Sequence, residues 1–165
     1  MLQSVERAST VRSMEFTPSH VGICVSDLER SLRFYRDGLG FEPAERYDIT
    51  SETMPGIEKV VEVDGPVSMV SQFLRRGEVR IELLWYPDRA PTGTPSATRA
   101  QLGLTHLSFV VDDIEEAAAV LVEHGATILD HTRPGSGAPL LFLADPDGTR
   151  VELMGRGQQA ATEPS

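Results

Sequence analysis

The feature that most constrains the fold is an internal repeat. Residues 20–31, HVGICVSDLERS, align without a gap with residues 106–117, HLSFVVDDIEEA. The segment RIELL from Arg80 aligns, in the same order, with RVELM from Arg150. Such self-similarity indicates that one supersecondary unit occurs twice in the chain. The first copy has a longer middle, residues 47–65, which is rich in charged residues and turn formers.

Each copy carries the same succession of secondary-structure signals. Apolar residues alternate with other residues after His20 and again after His106, as in a strand with one buried face. A capping residue, Ser26 in the first copy, then precedes a helical apolar stripe. The sequence therefore predicts an α+β fold of two βαβββ modules, with helices near 27–38 and 113–124. The other predicted strands are 41–47, 67–74, 79–86, 127–131, 138–144 and 149–155.

The chain length suits a single domain built from the two modules. We expect this domain to span residues 17–156, with mobile polar tails on both sides. The predicted parts are an N-terminal tail (1–16), module one (17–86), a connector (87–102), module two (103–156) and a C-terminal tail (157–165).

Composition excludes several classes of function. The net charge of −10 argues against nucleic acid as a partner, because phosphate neutralisation needs a basic surface. No apolar run approaches the roughly 18 residues of a transmembrane helix, so we expect no membrane span. The first residues lack the apolar core of a secretion signal, and Cys24 is the single cysteine. Both features favour a cytoplasmic protein without disulfides.

Four polar residues are placed alike by the repeat. In RIELL and RVELM the apolar pairs should face the helices, which leaves Glu82 and Glu152 on the opposite face of each strand. His20 and His106 begin the first strand of each copy. If the modules pack about a pseudo-twofold axis, all four side chains converge on the surface between them. A lone strand histidine or glutamate is more often structural, but the repeated arrangement favours a site.

These four residues have the chemistry of a metal site. Two carboxylates buried together are costly unless a cation compensates their charge. Two imidazoles and two carboxylates suit an octahedral divalent ion with positions open for substrate oxygens. We therefore predict one divalent ion (Ni, Co, Zn, Mn, Mg or Fe) bound by His20, Glu82, His106 and Glu152.

The residues quoted above resemble the vicinal-oxygen-chelate (glyoxalase/bleomycin resistance protein/dioxygenase) superfamily over residues 17–156. LLFLADPDGTRVELM is similar to glyoxalase I, while IELLWYP, a spacer and GLTHLSFVVDDIEEA resemble methylmalonyl-CoA epimerase. The resemblance implies a curved, mostly antiparallel sheet around a metal-binding cup, with the helices outside. It also implies a homodimer, with the cup formed either within one chain or across two.

The resemblance further implies a reaction. Both relatives remove a proton next to a carbonyl group and stabilise the resulting metal-bound enediolate or enolate. The expected substrate is a small molecule, a thiol adduct or an acyl thioester. Glu152 is the preferred candidate for the base and Glu82 the second.

Departures from the two relatives leave alternatives open. Glutathione-dependent glyoxalases typically carry arginine and asparagine where this chain has Cys24 and Tyr86, and Thr105 replaces the first histidine of the epimerase pair. An Fe(II) ring-cleaving dioxygenase uses two histidines and one carboxylate, although Glu82 would then occupy a position needed by substrate or oxygen. A non-catalytic drug-binding protein is the remaining alternative.

Other residues have weaker functional interpretations. His124 is expected at a helix end and His131 in an exposed loop, neither of them as a ligand. A loop over residues 133–139 is a candidate cover for the site. Candidate pocket-lining side chains are Trp85, Tyr86, Phe142 and Met154, each equally compatible with packing at the end of a strand.

Overall fold

The first module contains one strand, a helix and three further strands, with a short extra helix between them. The computed structural model describes residues 16–135 and 139–157. The second helix lies in the longer middle of the first copy, where the sequence indicated only an insertion. The elements are β1 (Val21–Val25), α1 (Leu28–Leu32, continued as a π-helix over Arg33–Gly38), β2 (Glu42–Thr50), α2 (Ile57–Val60), β3 (Ser68–Arg76) and β4 (Val79–Trp85).

The second module repeats this order without the insertion. The predicted strand at 127–131 is shortened to two residues, because Leu129–Thr132 form a turn in which the Thr132 hydroxyl donates to the Leu129 carbonyl. The loop at 133–139 lies partly outside the described residues, and the predicted tails almost entirely so. The elements are β5 (Leu107–Val111), α3 (Ile114–Glu123), β6 (Thr127–Ile128), β7 (Leu140–Ala144) and β8 (Arg150–Gly155).

Both modules have the same sheet topology. The strand order is β1-β4-β3-β2 in one sheet and β5-β8-β7-β6 in the other. In each sheet the first strand pairs in parallel with the last, and the other pairs are antiparallel. The two sheets remain separate. The predicted α+β fold of two βαβββ modules is therefore confirmed.

Both long helices begin at an aspartate. The Asp27 carboxylate accepts from the Arg30 backbone N–H at 2.9 Å, and Asp113 accepts from that of Glu116 at 2.9 Å. Each aspartate thus satisfies one of the free N–H groups of a first turn. The cap of the first helix is Asp27, one residue beyond the predicted Ser26. No helix within the described ranges is long and apolar enough to cross a bilayer.

The two modules share one hydrophobic core. Ile81 and Leu83 of β4 lie in it together with Val151 and Leu153 of β8, and all four are almost fully buried. These are the apolar pairs that the strand alternation assigned to the helix side. Their neighbours Glu82 and Glu152 therefore project from the opposite face of each sheet.

Candidate metal centre

The first predicted pair of ligands lies together. His20 immediately precedes β1, and Glu82 of β4 stands beside Gly22 in the parallel register. This register brings the His20 Nε2 atom to 3.1 Å from the Glu82 Oε2 atom. The Glu82 side chain is 16% exposed and that of His20 34%, so the carboxylate lies deeper.

The second pair has the same arrangement. His106 precedes β5, and Glu152 of β8 stands beside Ser108. The His106 Nε2 atom lies 3.4 Å from the Glu152 Oε2 atom. Glu152 is again the deeper member, at 11% exposure. The internal repeat thus produces two similar histidine–glutamate pairs.

Hydroxyl groups orient both pairs. The Ser19 Oγ atom lies 3.0 Å from Nδ1 of His20, and Thr105 Oγ1 lies 2.8 Å from Nδ1 of His106. Because Nδ1 is engaged in both rings, Nε2 is the nitrogen directed at the carboxylate. The second ring nitrogen of a metal-binding histidine usually bonds to a carboxylate, a backbone carbonyl or water, and the hydroxyl group takes that place in both pairs here. Sequence reasoning missed these contacts, although a hydroxyl residue precedes both histidines and was a signal that could have been read.

The carboxylates also accept from serines, but in different ways. Ser71 donates to Oε1 of Glu82 at 2.5 Å, while Oε2 faces His20. Ser108 donates to Oε2 of Glu152 at 2.8 Å, which is the same oxygen that faces His106. Glu152 therefore keeps one oxygen without a hydrogen bond to the described part of the chain, whereas both oxygens of Glu82 are engaged.

The donor atoms fit a divalent ion. Two atoms bound at right angles to one metal at about 2.1 Å are about 3 Å apart, close to the spacing within each pair. The same spacing allows a hydrogen bond between imidazole and carboxylate, so each pair also holds together by itself. Residues 16–135 and 139–157 of one chain contain no group of three or more His, Cys, Asp or Glu side chains placed to hold a metal. One chain thus places the four candidate ligands as two separate pairs, called half-sites below, and the predicted four-residue metal site stays a prediction.

An aromatic ring supports each histidine. Phe73 packs edge-on against His20 with ring centroids 5.1 Å apart, and Phe142 packs likewise against His106 at 5.5 Å. Phe73 stands opposite Glu82 in the register, and Phe142 opposite Glu152. Of the candidate pocket-lining residues, Phe142 is thus placed beside a half-site, although it is fully buried.

Cys24 and Tyr86 are neutral groups on the ligand side of module one. Partial burial raises the pKa of the Cys24 thiol, although the residue is exposed on one side, and Asp147 raises it further. Burial also raises the pKa of Tyr86, with contributions from Cys24 and Glu82 that are opposed by Arg89. A thiol with a raised pKa is a poor nucleophile at neutral pH.

A groove of about 330 Å³ lies beside the second half-site. Both Cys24 and His106 line it.

The remaining histidines lie apart from the half-sites. His124 directly follows α3, and its Nδ1 atom is 2.8 Å from the Val120 carbonyl oxygen. His131 is exposed in the turn after β6.

Comparison with known proteins gives one consistent family. Residues 17–153 match the Glyoxalase/Bleomycin resistance protein/Dioxygenase superfamily. The chain is 26% identical over 162 residues to lactoylglutathione lyase of Schizosaccharomyces pombe, covering 95% of this chain and 52% of that protein. It therefore spans about half the length of that relative.

Two further similarities extend over most of both chains. The ethylmalonyl-CoA/methylmalonyl-CoA epimerase of Cereibacter sphaeroides is 33% identical over 146 residues, covering 82% of this chain and 94% of the epimerase. The crystal structure of a glyoxalase family protein from Enterococcus faecalis superposes with a TM-score of 0.57 at 29% identity. That match covers 81% of this chain and 93% of the other.

Proposed function

Because the chain belongs to the Glyoxalase/Bleomycin resistance protein/Dioxygenase superfamily, we propose that it is a divalent-metal-dependent lyase or isomerase. The proposed reaction is of the glyoxalase I type: the enzyme removes a proton from the carbon next to a carbonyl group of a small substrate. The observation that carries the proposal is the repeated pair of one imidazole and one carboxylate, each oriented by a hydroxyl group. A protein that only sequesters a ligand has no need of two such pairs.

The proposed site combines two half-sites. His20, Glu82, His106 and Glu152 would hold one divalent ion from the group Ni, Co, Zn, Mn, Mg and Fe. Such an ion supplies a Lewis acid that stabilises negative charge on the substrate oxygens as the C–H proton leaves. Because the candidate ligands of one chain lie in two separate pairs, the proposed site takes module one from one subunit and module two from a second copy.

Glu152 is the proposed base. Its second carboxylate oxygen has no hydrogen bond to the described residues, so it is available to accept a proton. Glu82 is less suitable, since Ser71 and His20 engage its two oxygens. The Glu152 side chain is also little exposed, which keeps bulk water away from the carboxylate that would accept the substrate proton.

An acyl-CoA epimerase is the second candidate. It would use the same proton abstraction, with return of the proton to the opposite face of the same carbon. This candidate is supported by the 33% identity to the C. sphaeroides epimerase over 94% of its length.

Solvent-deuterium exchange tests the proposal. The metal-loaded protein should exchange a substrate α-proton for deuterium, and Glu152→Gln should slow this exchange by ~10² or more. Glu82→Gln is the matched control, and its exchange rate should fall less than that of Glu152→Gln when the two variants contain equal amounts of metal. Metal content must be measured in each sample, because a lost ligand would otherwise be mistaken for a lost base.

The substrate panel separates the candidate reactions. It contains hemithioacetals of methylglyoxal with glutathione and with other thiols, and methylmalonyl-CoA. We expect glutathione not to be the best carrier, because Cys24 and Tyr86 stand where the glutathione-dependent relatives carry other residues. A greater loss in Glu82→Gln than in Glu152→Gln would show that the base is misassigned. Oxygen consumption with catechols, without any exchange, would favour dioxygenase chemistry instead.

A further inference from the structure

An arginine lies over the phenylalanine of each half-site. The Arg80 guanidinium carbon is 4.3 Å from the centroid of the Phe73 ring, and that of Arg99 is 4.5 Å from the centroid of Phe142. The same phenylalanines contact the two histidines edge-on. The arginines are not equivalent in sequence, since Arg80 belongs to β4 and Arg99 to the connector. The same position beside the half-site is therefore filled from two different elements.

The two arginines differ in how their charge is compensated. Arg80 forms an ion pair with Glu45, with 2.8 Å between Nη2 and Oε2. Arg99 forms no ion pair with any carboxylate in the described part of the chain. The whole chain carries a net charge of −10. On such an acidic protein, an uncompensated cation beside a half-site creates a local positive potential that attracts an anionic group.

The connector around Arg99 is held in place from both sides. The side chain of Arg150, which is only 8% exposed, donates from Nε to the Ser96 carbonyl at 3.1 Å and from Nη2 to that of Ala97. The Ala97 backbone N–H donates to the Gln101 side-chain oxygen at 3.0 Å. Arg99 thus lies within a short turn that Arg150 fixes to β8. Arg150 stands two residues before Glu152 on that strand. A cation positioned in this way needs little reordering to bind a ligand.

The chemistry of a stacked guanidinium defines the ligand. An arginine that packs on an aromatic face keeps its in-plane N–H groups free for paired hydrogen bonds to a carboxylate or phosphate. We infer that Arg99 binds an oxyanion group of the substrate whose reacting carbon lies at the His106–Glu152 pair. This inference rests on the proposed function and narrows its substrate to thiol adducts or thioesters that carry such a group.

A pair of substrates that differ only in charge tests this role. Methylglyoxal forms hemithioacetals with 3-mercaptopropionate, which is anionic, and with 3-mercaptopropanamide, which is neutral and of similar shape. The wild type should prefer the anionic adduct in kcat/KM. Arg99→Met should reduce this preference by about tenfold or more, mainly through KM, because it removes a charged hydrogen bond to the ligand.

The matched control is Arg80→Met, which removes the arginine over the other phenylalanine. Its preference for the anionic adduct should equal that of the wild type, because Glu45 already neutralises Arg80. Arg99→Lys keeps the charge without the paired N–H geometry and should retain part of the preference. Equal losses in Arg99→Met and Arg80→Met, or no loss in Arg99→Met, would overturn the assignment.

Equilibrium binding separates this inference from the proposed reaction. The non-reactive probes 3-(methylthio)propionate and its amide are titrated calorimetrically into the metal-loaded protein. If neither adduct is turned over but Arg99→Met still abolishes the preference for the anionic probe, the reaction is wrong and the anion site stands. If the wild type shows no preference between the probes, the anion site is wrong. Competition by inorganic phosphate and by propionate then shows which oxyanion Arg99 prefers, and competition that is unchanged in Arg99→Met also counts against the site.

Discussion

Asp145 is a buried carboxyl group between the two modules. Tyr35 donates its phenol hydrogen to Oδ2 of Asp145 at 2.8 Å, and the backbone N–H groups of Asp147 and Thr149 donate to Oδ1. Burial raises the pKa of Asp145 despite these hydrogen bonds, which act in the opposite direction. The pKa of Tyr35 is raised as well, first by burial and then by Asp145, so the phenol stays a donor.

The raised pKa of Asp145 predicts the sign of a pH effect on stability. A group with a higher pKa in the folded than in the unfolded state contributes its full stability below the unfolded pKa. That contribution is lost as pH rises through the folded pKa. The difference in unfolding free energy between wild type and Asp145→Asn should therefore fall as pH rises through the acid range above the ordinary carboxyl pKa. Urea denaturation at a series of pH values measures it.

Asp48 provides a control of opposite sign. Its carboxylate bonds to Arg46, which lowers the pKa of Asp48. The stability it contributes is present above the unfolded pKa and is lost as pH falls. The wild-type advantage over Asp48→Asn should therefore rise with pH. A difference for Asp145→Asn that stays flat or also rises would contradict the assigned burial effect.

At the residue scale, strand geometry made the closeness of His20 to Glu82 predictable, while the convergence of all four candidate ligands stays a prediction. His20 and Glu82 are distant in sequence, but the repeat and the period of two along β4 predicted that they share a face. Arg99 could not be found in this way. It lies in a connector without a repeated counterpart, and its position depends on hydrogen bonds from the buried Arg150 side chain.

Among the elements, the turn between β7 and β8 joins the two modules. Asp147 accepts from the Ser26 backbone N–H at 2.9 Å and from the Ser26 hydroxyl at 2.5 Å. Its Oδ1 atom also accepts from Arg30 Nη2 at 2.6 Å. The Asp-Pro-Asp-Gly sequence predicted a turn. Its attachment to the first helix of the other module was not predictable from local signals.

Removal of this attachment should destabilise the whole domain. Asp147→Ala removes the carboxylate that accepts from the Ser26 backbone N–H, the Ser26 hydroxyl and Arg30 Nη2. Among these donors, only Arg30 keeps another acceptor in the described part of the chain, the Ser26 hydroxyl oxygen. We expect a loss of roughly 1–2 kcal/mol in unfolding free energy, in the range of a lost helix cap or charged hydrogen bond. Chemical denaturation, followed by far-ultraviolet circular dichroism, measures the loss.

Asp88 is a matched control for the charge change. It is exposed in the connector and forms no ion pair with the described residues. Asp88→Ala should therefore change stability by less than about 0.5 kcal/mol. Equal effects of the two substitutions would show that the contacts of Asp147 contribute nothing beyond its charge.

The structure of the insertion in module one could not be predicted from sequence patterns. Its Ile57 packs in a small cluster with Val67 and Met69, against Leu84 and Tyr86. No regular period predicts this cluster, since α2 has only four residues and follows Gly56, whose φ is +89°. Contacts between distant segments, rather than local propensity, determine the structure there.

For the whole molecule, the proposed site shared between two chains predicts complementation between defective chains. One variant carries His20→Ala and Glu82→Ala, and the other His106→Ala and Glu152→Ala. Each should be inactive alone. In a two-fold dimer with shared sites, a randomly mixed population should recover about one quarter of the wild-type activity, because each mixed dimer contains one intact site.

Mass spectrometry under native conditions must confirm that mixed dimers form. The four-residue variant, mixed with either double variant, is the control and should give no recovery. Mixed dimers without activity would exclude a site shared between chains. A protein that stays monomeric while fully loaded with metal would exclude it as well.

The two-ligand half-site has a consequence for how the protein is loaded. A single imidazole and a single carboxylate hold an ion weakly, whereas the two half-sites of the proposed shared site would act together as a chelate. In a shared site, the ion would cross-link the two subunits as well as act as a cofactor. Metal affinity would then depend on protein concentration, since dilution that separates the subunits also releases the ion. A cell could thus control occupancy through the amount of protein made, without any change in the metal supply.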